Sequence, residues 1–334
     1  MAQFFPLGKL PPEVLKALLN RAPAEDPRVI LGPQHGEDAA VIDLGIDQYL
    51  VLKTDPITFA TDEIGWYAVN VNANDIAVTG GVPTWFMATL LLPAGMTDQA
   101  LVDRIFDQLV QACQGLNINL VGGHTEITYG IDRPIVTGMM IGLAPRDKLV
   151  TTSGALPGDV LIVTKGIPVE ATAIIARERG GVLSDRFSPE FLSRCAGYLY
   201  DPGISVVRDT QIALSAGRIH AMHDPTEGGL ATGLWELAEA SGRALEVSPH
   251  LAVLPDSLAI CQAVGLDPLA ALASGALLVA AHPDDAAEIC KQLTDGGIPA
   301  FQIGRVLKGE ALVYLSDGSL LARPARDEIA RLYE

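Results

Sequence analysis

WYAVNVNANDIAVTGGVP, residues 66–83, is the stretch on which the reading of this chain turns. It carries the small residues of a helix, yet Asn70 and Asn74 lie one helical turn apart and Asp75 follows, a polar content that packing alone does not favour. A polar helical face turned toward a ligand explains them. Gly80-Gly81-Val82-Pro83 then stops the helix.

Outward from this helix, the runs Ala40-Val41-Ile42, Tyr49-Leu50-Val51-Leu52, Asn119-Leu120-Val121 and residues 135–143 are apolar and punctuated by Gly, Pro and Asp. They predict an extensive sheet in the first half. Thr97-Asp98 opens a second helix whose apolar positions Leu101, Ile105, Leu109 and Ala112 recur at i+4 or i+3. Its other face, Asp103, Asp107 and Gln111, reads as solvated. Small, turn-forming residues over 151–159 mark a boundary, giving an N-terminal domain of residues 1–153 and a C-terminal domain of 154–334. Beyond the boundary, helical patterns at 169–179, 204–216, 230–240 and 284–293 alternate with strand patterns at 160–163, 219–222 and 276–281. A layered α/β domain follows.

The length of 334 residues suits about two domains, and 49% hydrophobic with 19% charged residues suits a folded globular chain. A formal charge of −17 argues against a basic groove for nucleic acid or a face for anionic membranes. It also means that a polyphosphate ligand needs divalent metal between it and the protein's carboxylates. Cys113, Cys195, Cys261 and Cys290 are 82, 66 and 29 residues apart with no zinc spacing, as expected of reduced thiols in a cytosol. The start of the chain does not follow a signal-peptide plan, and the longest nearly apolar stretch, 135–144, is far short of the ~18 residues needed to span a bilayer. A soluble cytoplasmic protein is expected.

No GxxxxGK[ST] loop and no GxGxxG following a strand is present, which argues against the common nucleotide-binding classes. Instead, acidic residues stand beside small or turn-forming ones in GEDAA (36–40), KTDP (53–56), NDIA (74–77), GGHTE (122–126) and HDPTEGG (223–229). Taken singly, Asp38 and Asp55 read as turn residues and Asp224-Pro225-Thr226 as a helix cap. Taken together, they are hard oxygen ligands from separate segments, as Mg²⁺ on a triphosphate requires, with Gly-Gly steps that let backbone N–H groups approach phosphate.

The order GEDAAV (36–41), KTDP (53–56), NDIAVTGGVP (74–83), GGHTE (122–126), HDPTEGGL (223–230), SGALLVA (274–280) and IGRV (303–306) resembles the AIR synthase (PurM-like) superfamily over roughly residues 30–310. Within it the chain is most similar to the HypE family of hydrogenase maturation factors, the carbamoyl dehydratases. The resemblance implies an α/β (α+β) PurM-like two-domain fold. Its N-terminal domain would pair with a twin into a β-barrel across a homodimer, and ATP with Mg²⁺ would bind in the cleft between domains. Carried over by position, Asp38, Asp55 and Asp75 would be metal and phosphate residues. Asn74, Gly122, Gly123, Thr125, Gly228 and Gly229 would line the nucleotide, and His124, Glu126 and Asp224 are the catalytic candidates.

Three departures bear on the substrate. His124 stands where HypE and thiamine-monophosphate kinase relatives place Asp, as it does in selenophosphate synthetases; Glu126 either supplies the missing carboxylate or is a surface residue. Glu227 replaces an Arg of HypE, so an anion contact there is lost or inverted. The sequence ends Arg331-Leu332-Tyr333-Glu334, whereas HypE proteins end in a Cys that carries the carbamoyl group. The expected function is ATP-dependent activation of an amide-type oxygen on a small-molecule or protein-borne acceptor, with His124 or His223 relaying a proton. Two alternatives stand beside it: a small-molecule kinase of the thiamine-monophosphate kinase type, and a non-catalytic nucleotide-binding accessory protein that docks on a maturation partner.

Overall fold

The structure, a computed structural model, describes residues 5, 10–21, 25–34, 36–58 and 62–333. Most of the start of the chain, read above for a leader, lies outside the described residues. The chain divides into two compact units. One holds Glu25–Gly32 and Asp38–Leu149, and the other holds Pro33–Glu37 and the chain from Val150 onward, together with the first helix.

In chain order the elements are α1 (Pro12–Leu19), β1 (Val29–Leu31), β2 (Ala40–Asp43), β3 (Gln48–Ile57), α2 (Ile64–Val78), β4 (Val82–Pro93), α3 (Gln99–Gly115), β5 (Asn119–Thr128) and β6 (Ile135–Pro145). The strands of the first unit form one sheet in the order β1-β2-β3-β6-β4-β5. Among its described strands only the β4–β5 pair is parallel. Helices α2 and α3 pack against each other, and α2 lies on β3 and β6. Asp98 caps α3 by accepting from Leu101 N, and Ile105, Leu109 and Ala112 face inward while Asp103 and Asp107 are exposed, as the periodicity predicts.

α2 is unusual in that every residue except Trp66 is buried, the polar ones included. Buried amides must find partners inside the protein. Asn70 donates to Trp66 O at 2.9 Å, and Asn72 donates to Ala68 O at 2.8 Å and across to the backbone carbonyl of Asp55 at 3.2 Å. That cross-contact needs the sheet to come very close. Gly138 of β6 permits it, because a Cβ there would lie 2.4 Å from Asn72 Nδ2 and 2.7 Å from the Phe86 ring.

The second unit continues with β7 (Val160–Thr164), α4 (Val169–Leu183), α5 (Pro189–Ala196), α6 (Val207–Ala216), β8 (Ile219–His223), α7 (Gly229–Ser241), β9 (Ala244–Val247), α8 (Pro255–Val264), β10 (Leu278–Ala281), α9 (Ala286–Asp295), β11 (Ala300–Leu307) and β12 (Val313–Leu315). Its sheet runs β12-β9-β11-β7-β10-β8. Alternation along β7 sends Leu161 and Val163 into a core with Leu230, Leu234 and Leu237 of α7. Both units are mixed α/β layers, as expected. Helices α6 and α9 begin two or three residues later than the sequence patterns suggest, and β4 is a strand that those patterns did not single out. Among the described residues no helix is long and apolar enough to cross a membrane.

Replacing Gly138 with Ala should lower stability by about 1–3 kcal/mol through overpacking. Gly115→Ala, at a helix end with nothing within 4 Å, should leave the protein as stable or slightly more so. Urea midpoints of the two variants check this; equal midpoints would remove the proposed close approach of α2 to the sheet.

Candidate functional site

Residues two apart on a strand point to the same face, so Lys53 and Asp55 of β3 share the side that α2 covers. There they meet Asp75. Lys53 Nζ lies 3.1 Å from Asp75 Oδ1 and 3.8 Å from Asp55 Oδ2. Asp38, at the entry to β2, brings a carboxylate oxygen within 4.8 Å of one of Asp75. Asp75 is only 4% exposed, and its Oδ2 is buried with no hydrogen-bond partner. Burial pushes its carboxyl up to about 7; the Lys53 ammonium opposes that rise, and the neighbouring charges of Asp38 and Asp55 add to it. An orphaned buried carboxylate oxygen among further carboxylates is the donor set of a hard divalent cation, so these residues fit Mg²⁺.

The structure thus brings Asp38, Asp55 and Asp75 together within the first unit, with Asn74 buried beside them on α2. Lys53 and Asn72 belong to the same cluster and were not singled out. The signal for Lys53 was available, since in Lys53-Thr54-Asp55 a cation stands two residues before a carboxylate on a predicted strand.

Gly122, Gly123, His124, Thr125 and Glu126 lie elsewhere, all on the edge strand β5 and all exposed. The register runs Asp55 to Gly138, Gly138 to Ala88 and Ala88 to Gly123, so the glycine pair is three strand spacings, about 14 Å, from Asp55 across the sheet. It occupies a strand instead of a loop before a helix. Gly123 has φ +151°, and a Cβ there would meet Ala88 O at 2.0 Å, which is sufficient reason for glycine. His124 Nε2 is 3.3 Å from Glu126 Oε2 on the solvent side.

In the second unit, His223 ends β8 and Asp224 follows, both buried. His223 Nε2 lies 3.0 Å from Glu236 Oε2 of α7. Gly228 and Gly229 have φ +79° and +64° and make the left-handed turn into α7. Their N–H groups are engaged within the unit, Gly228 donating to Asp327 Oδ2 and Gly229 to Thr226 O. A buried ion pair, Lys165 to Asp209 at 3.0 Å, is completed by Lys165 donating to the carbonyls of Ser205 and Gly275. Glu170, in the first turn of α4, is fully buried with Oε2 unpartnered, and no periodicity marks it.

The N-terminal domain of the AIR synthase related protein family matches residues 36–144, and its C-terminal domain matches 157–315. A putative hydrogenase expression/formation protein of Methanocaldococcus jannaschii is 27% identical over 295 residues, 86% of this chain and 83% of that protein. The carbamoyl dehydratase HypE of Rhodobacter capsulatus is 29% identical over 272 residues, 80% of this chain and 75% of its own. A selenide, water dikinase of Nitratidesulfovibrio vulgaris is 29% identical over 336 residues, 89% of this chain and 90% of its own. Three solved structures share the fold. A chain of a crystal structure of a HypE–HypF complex superposes with TM-score 0.74 at 21% identity, covering 93% of this chain and 99% of that one. AaThiL complexed with AMPPCP and TMP gives 0.73 at 21%, covering 95% and 94%. HypE in complex with ATP gives 0.71 at 24%, covering 91% and 92%.

Glu170 gives the molecule a measurable pH dependence. Burial pushes its carboxyl from the ordinary 4.5 up to about 8, Ser274 opposes the rise, and Asp327 and Glu227 add to it. The folded state keeps a proton that the unfolded chain releases, so stability should fall as pH rises from 4.5 to about 8, by an amount of the order of a few kcal/mol. Asp327, pushed up to about 6 chiefly by burial, adds the same sign below that pH. Urea midpoints across this window should decline for the wild type and less steeply for Glu170→Gln, in which Asp75 and Asp327 still release their protons; parallel slopes would contradict the assignment.

Proposed function

As this chain belongs to the AIR synthase related proteins and carries both of their domains, we propose that it binds ATP with Mg²⁺ and uses it in a HypE-like reaction, phosphorylating an amide-type oxygen of an acceptor so that it can be displaced. The observation that carries this reading is the buried, unpartnered Oδ2 of Asp75 beside Asp38 and Asp55. Asp38 and Asp75 would ligate the Mg²⁺, with Asp55 beside them holding Lys53. When bound, the ion supplies positive charge to the polyphosphate and to the charge developing on the transferred phosphoryl group. In a chain of charge −17 that supply is a requirement.

The chain's own residues do the rest. Within the first unit, Asn74 and the β5 residues Gly122, Gly123 and Thr125 are assigned to the nucleotide in this reading. The His124–Glu126 pair, 3.3 Å apart and solvent-facing, is assigned the proton relay in this reading. The hydrogenase expression and maturation relatives, and the HypE–HypF complex among the structural neighbours, support a protein partner in metalloenzyme maturation. A homodimer is supported by β5, an edge strand exposed along nearly its whole length with Val121 54% and Ile127 61% exposed. We place the protein in the cytoplasm.

A small-molecule kinase is the second reading, favoured by the selenide, water dikinase relative and by the likeness to AaThiL. The products separate the two. Free phosphate with a dehydrated acceptor supports the first, and a stable phosphorylated metabolite supports the kinase.

Asp75→Asn and Asp55→Asn should each weaken Mg-ATP binding by about 100-fold or more in calorimetry, with unchanged circular dichroism. Asparagine keeps the size of Asp75 and an oxygen that can still accept from Lys53. Wild-type affinity in both variants would overturn the metal-site assignment.

A further inference from the structure

Lys53 is the cation that the acidic cluster already contains. Its side chain is 21% exposed and runs under α2 to place one ammonium between Asp75 Oδ1, at 3.1 Å, and Asp55 Oδ2, at 3.8 Å. Asp75 is thereby divided. One oxygen is taken by the lysine, while the other, Oδ2, is buried without a partner on a carboxyl that has an Asp38 oxygen within 4.8 Å. The cluster therefore has two places for positive charge: one between Asp75 and Asp55, and one at the open side of Asp75.

We propose that Lys53 is a positioning residue that permanently fills the first of these places, so that the cluster takes up one divalent ion fewer than its carboxylates would otherwise hold. The inference rests on the metal-binding reading above and goes beyond it by assigning a division of labour within the cluster. A lysine ammonium is a compact point charge with three N–H donors and no coordination positions, so it satisfies the carboxylates it touches without chelating a phosphate as a metal ion does. Placed here, it fixes Asp75 to offer a single oxygen, and it repels a second divalent ion from the Asp55 side. Its hydrogen bond to Asp75 Oδ1 also ties β3 to α2.

The test counts Mn²⁺ bound per full-length chain without nucleotide. It uses electron paramagnetic resonance at about 0.15 M salt, where weak binding to the acidic surface is screened. Lys53→Met should bind one more tight Mn²⁺ per chain than the wild type, and Lys53→Arg, which keeps the charge, should bind the wild-type number. Lys53→Gln takes the place of the Met variant if the latter does not fold. Equal counts in wild type and Met variant would overturn the role of Lys53 and leave the metal site standing. A gain in the Arg variant as well would overturn it too, because the effect would then follow shape and not charge. No tight Mn²⁺ in any of the proteins would overturn both this inference and the reading it rests on.

Discussion

A carboxylate set into a helix that has almost no contact with water is the constraint around which the first unit is arranged. Asp75 sits on α2, where every residue but Trp66 is buried, and removing its charge from solvent is costly unless a cation compensates. One oxygen finds Lys53, and the other finds nothing. The rest of the local architecture follows from bringing this helix close to the sheet: Asn72 reaches the backbone of Asp55, and Gly138 has no side chain to block it. A helix so polar and so buried is expensive for folding alone. Its cost makes sense where a ligand completes the electrostatics.

The second unit handles buried acid differently. Among the described residues Glu170 and Asp327 have no cation in hydrogen-bonding contact, and they hold their protons well above the ordinary carboxyl range, whereas Asp209 is ion-paired and hydrogen-bonded with Lys165 and Thr164. Within one molecule, then, buried acids are stabilised by a proton, by a lysine, or, as proposed for Asp75, by a metal. The first choice ties stability to pH, the second is fixed, and the third would join the protein to a ligand.

Much of this was legible in the residues. Alternation and turn residues located β2, β3, β6 and β7, and the i+3/i+4 pattern of α3 separated Ile105 and Leu109 from Asp103 and Asp107. The acidic motifs, read as a set, covered five segments; the resemblance singled out Asp38, Asp55 and Asp75 among them, and the fold sets these three near one another. Other features depend on tertiary contact and leave no periodic trace. Asn72 matters because Asp55 of another element lies above it, and Glu170 because Ser274 and Asp327, more than a hundred residues away, close over it. β4 was obscured by Gly-Gly-Val-Pro at its start, which signals a stop to α2 as clearly as it hides the strand that follows. Gly122-Gly123 carries the composition of a phosphate loop, yet Gly123 is also required by the close approach of Ala88 O within the sheet.

The account depends on Asp75 being left open for a divalent ion that carries a nucleotide. Crystals grown with Mn²⁺ and a non-hydrolysable ATP analogue, measured at the manganese absorption edge, test it most directly. An anomalous peak should appear in coordination contact with Asp75 Oδ2 and Asp38, with phosphate oxygens of the analogue completing its shell. Manganese found only at surface carboxylates, with Oδ2 of Asp75 still unpartnered or the analogue bound away from it, would contradict the account.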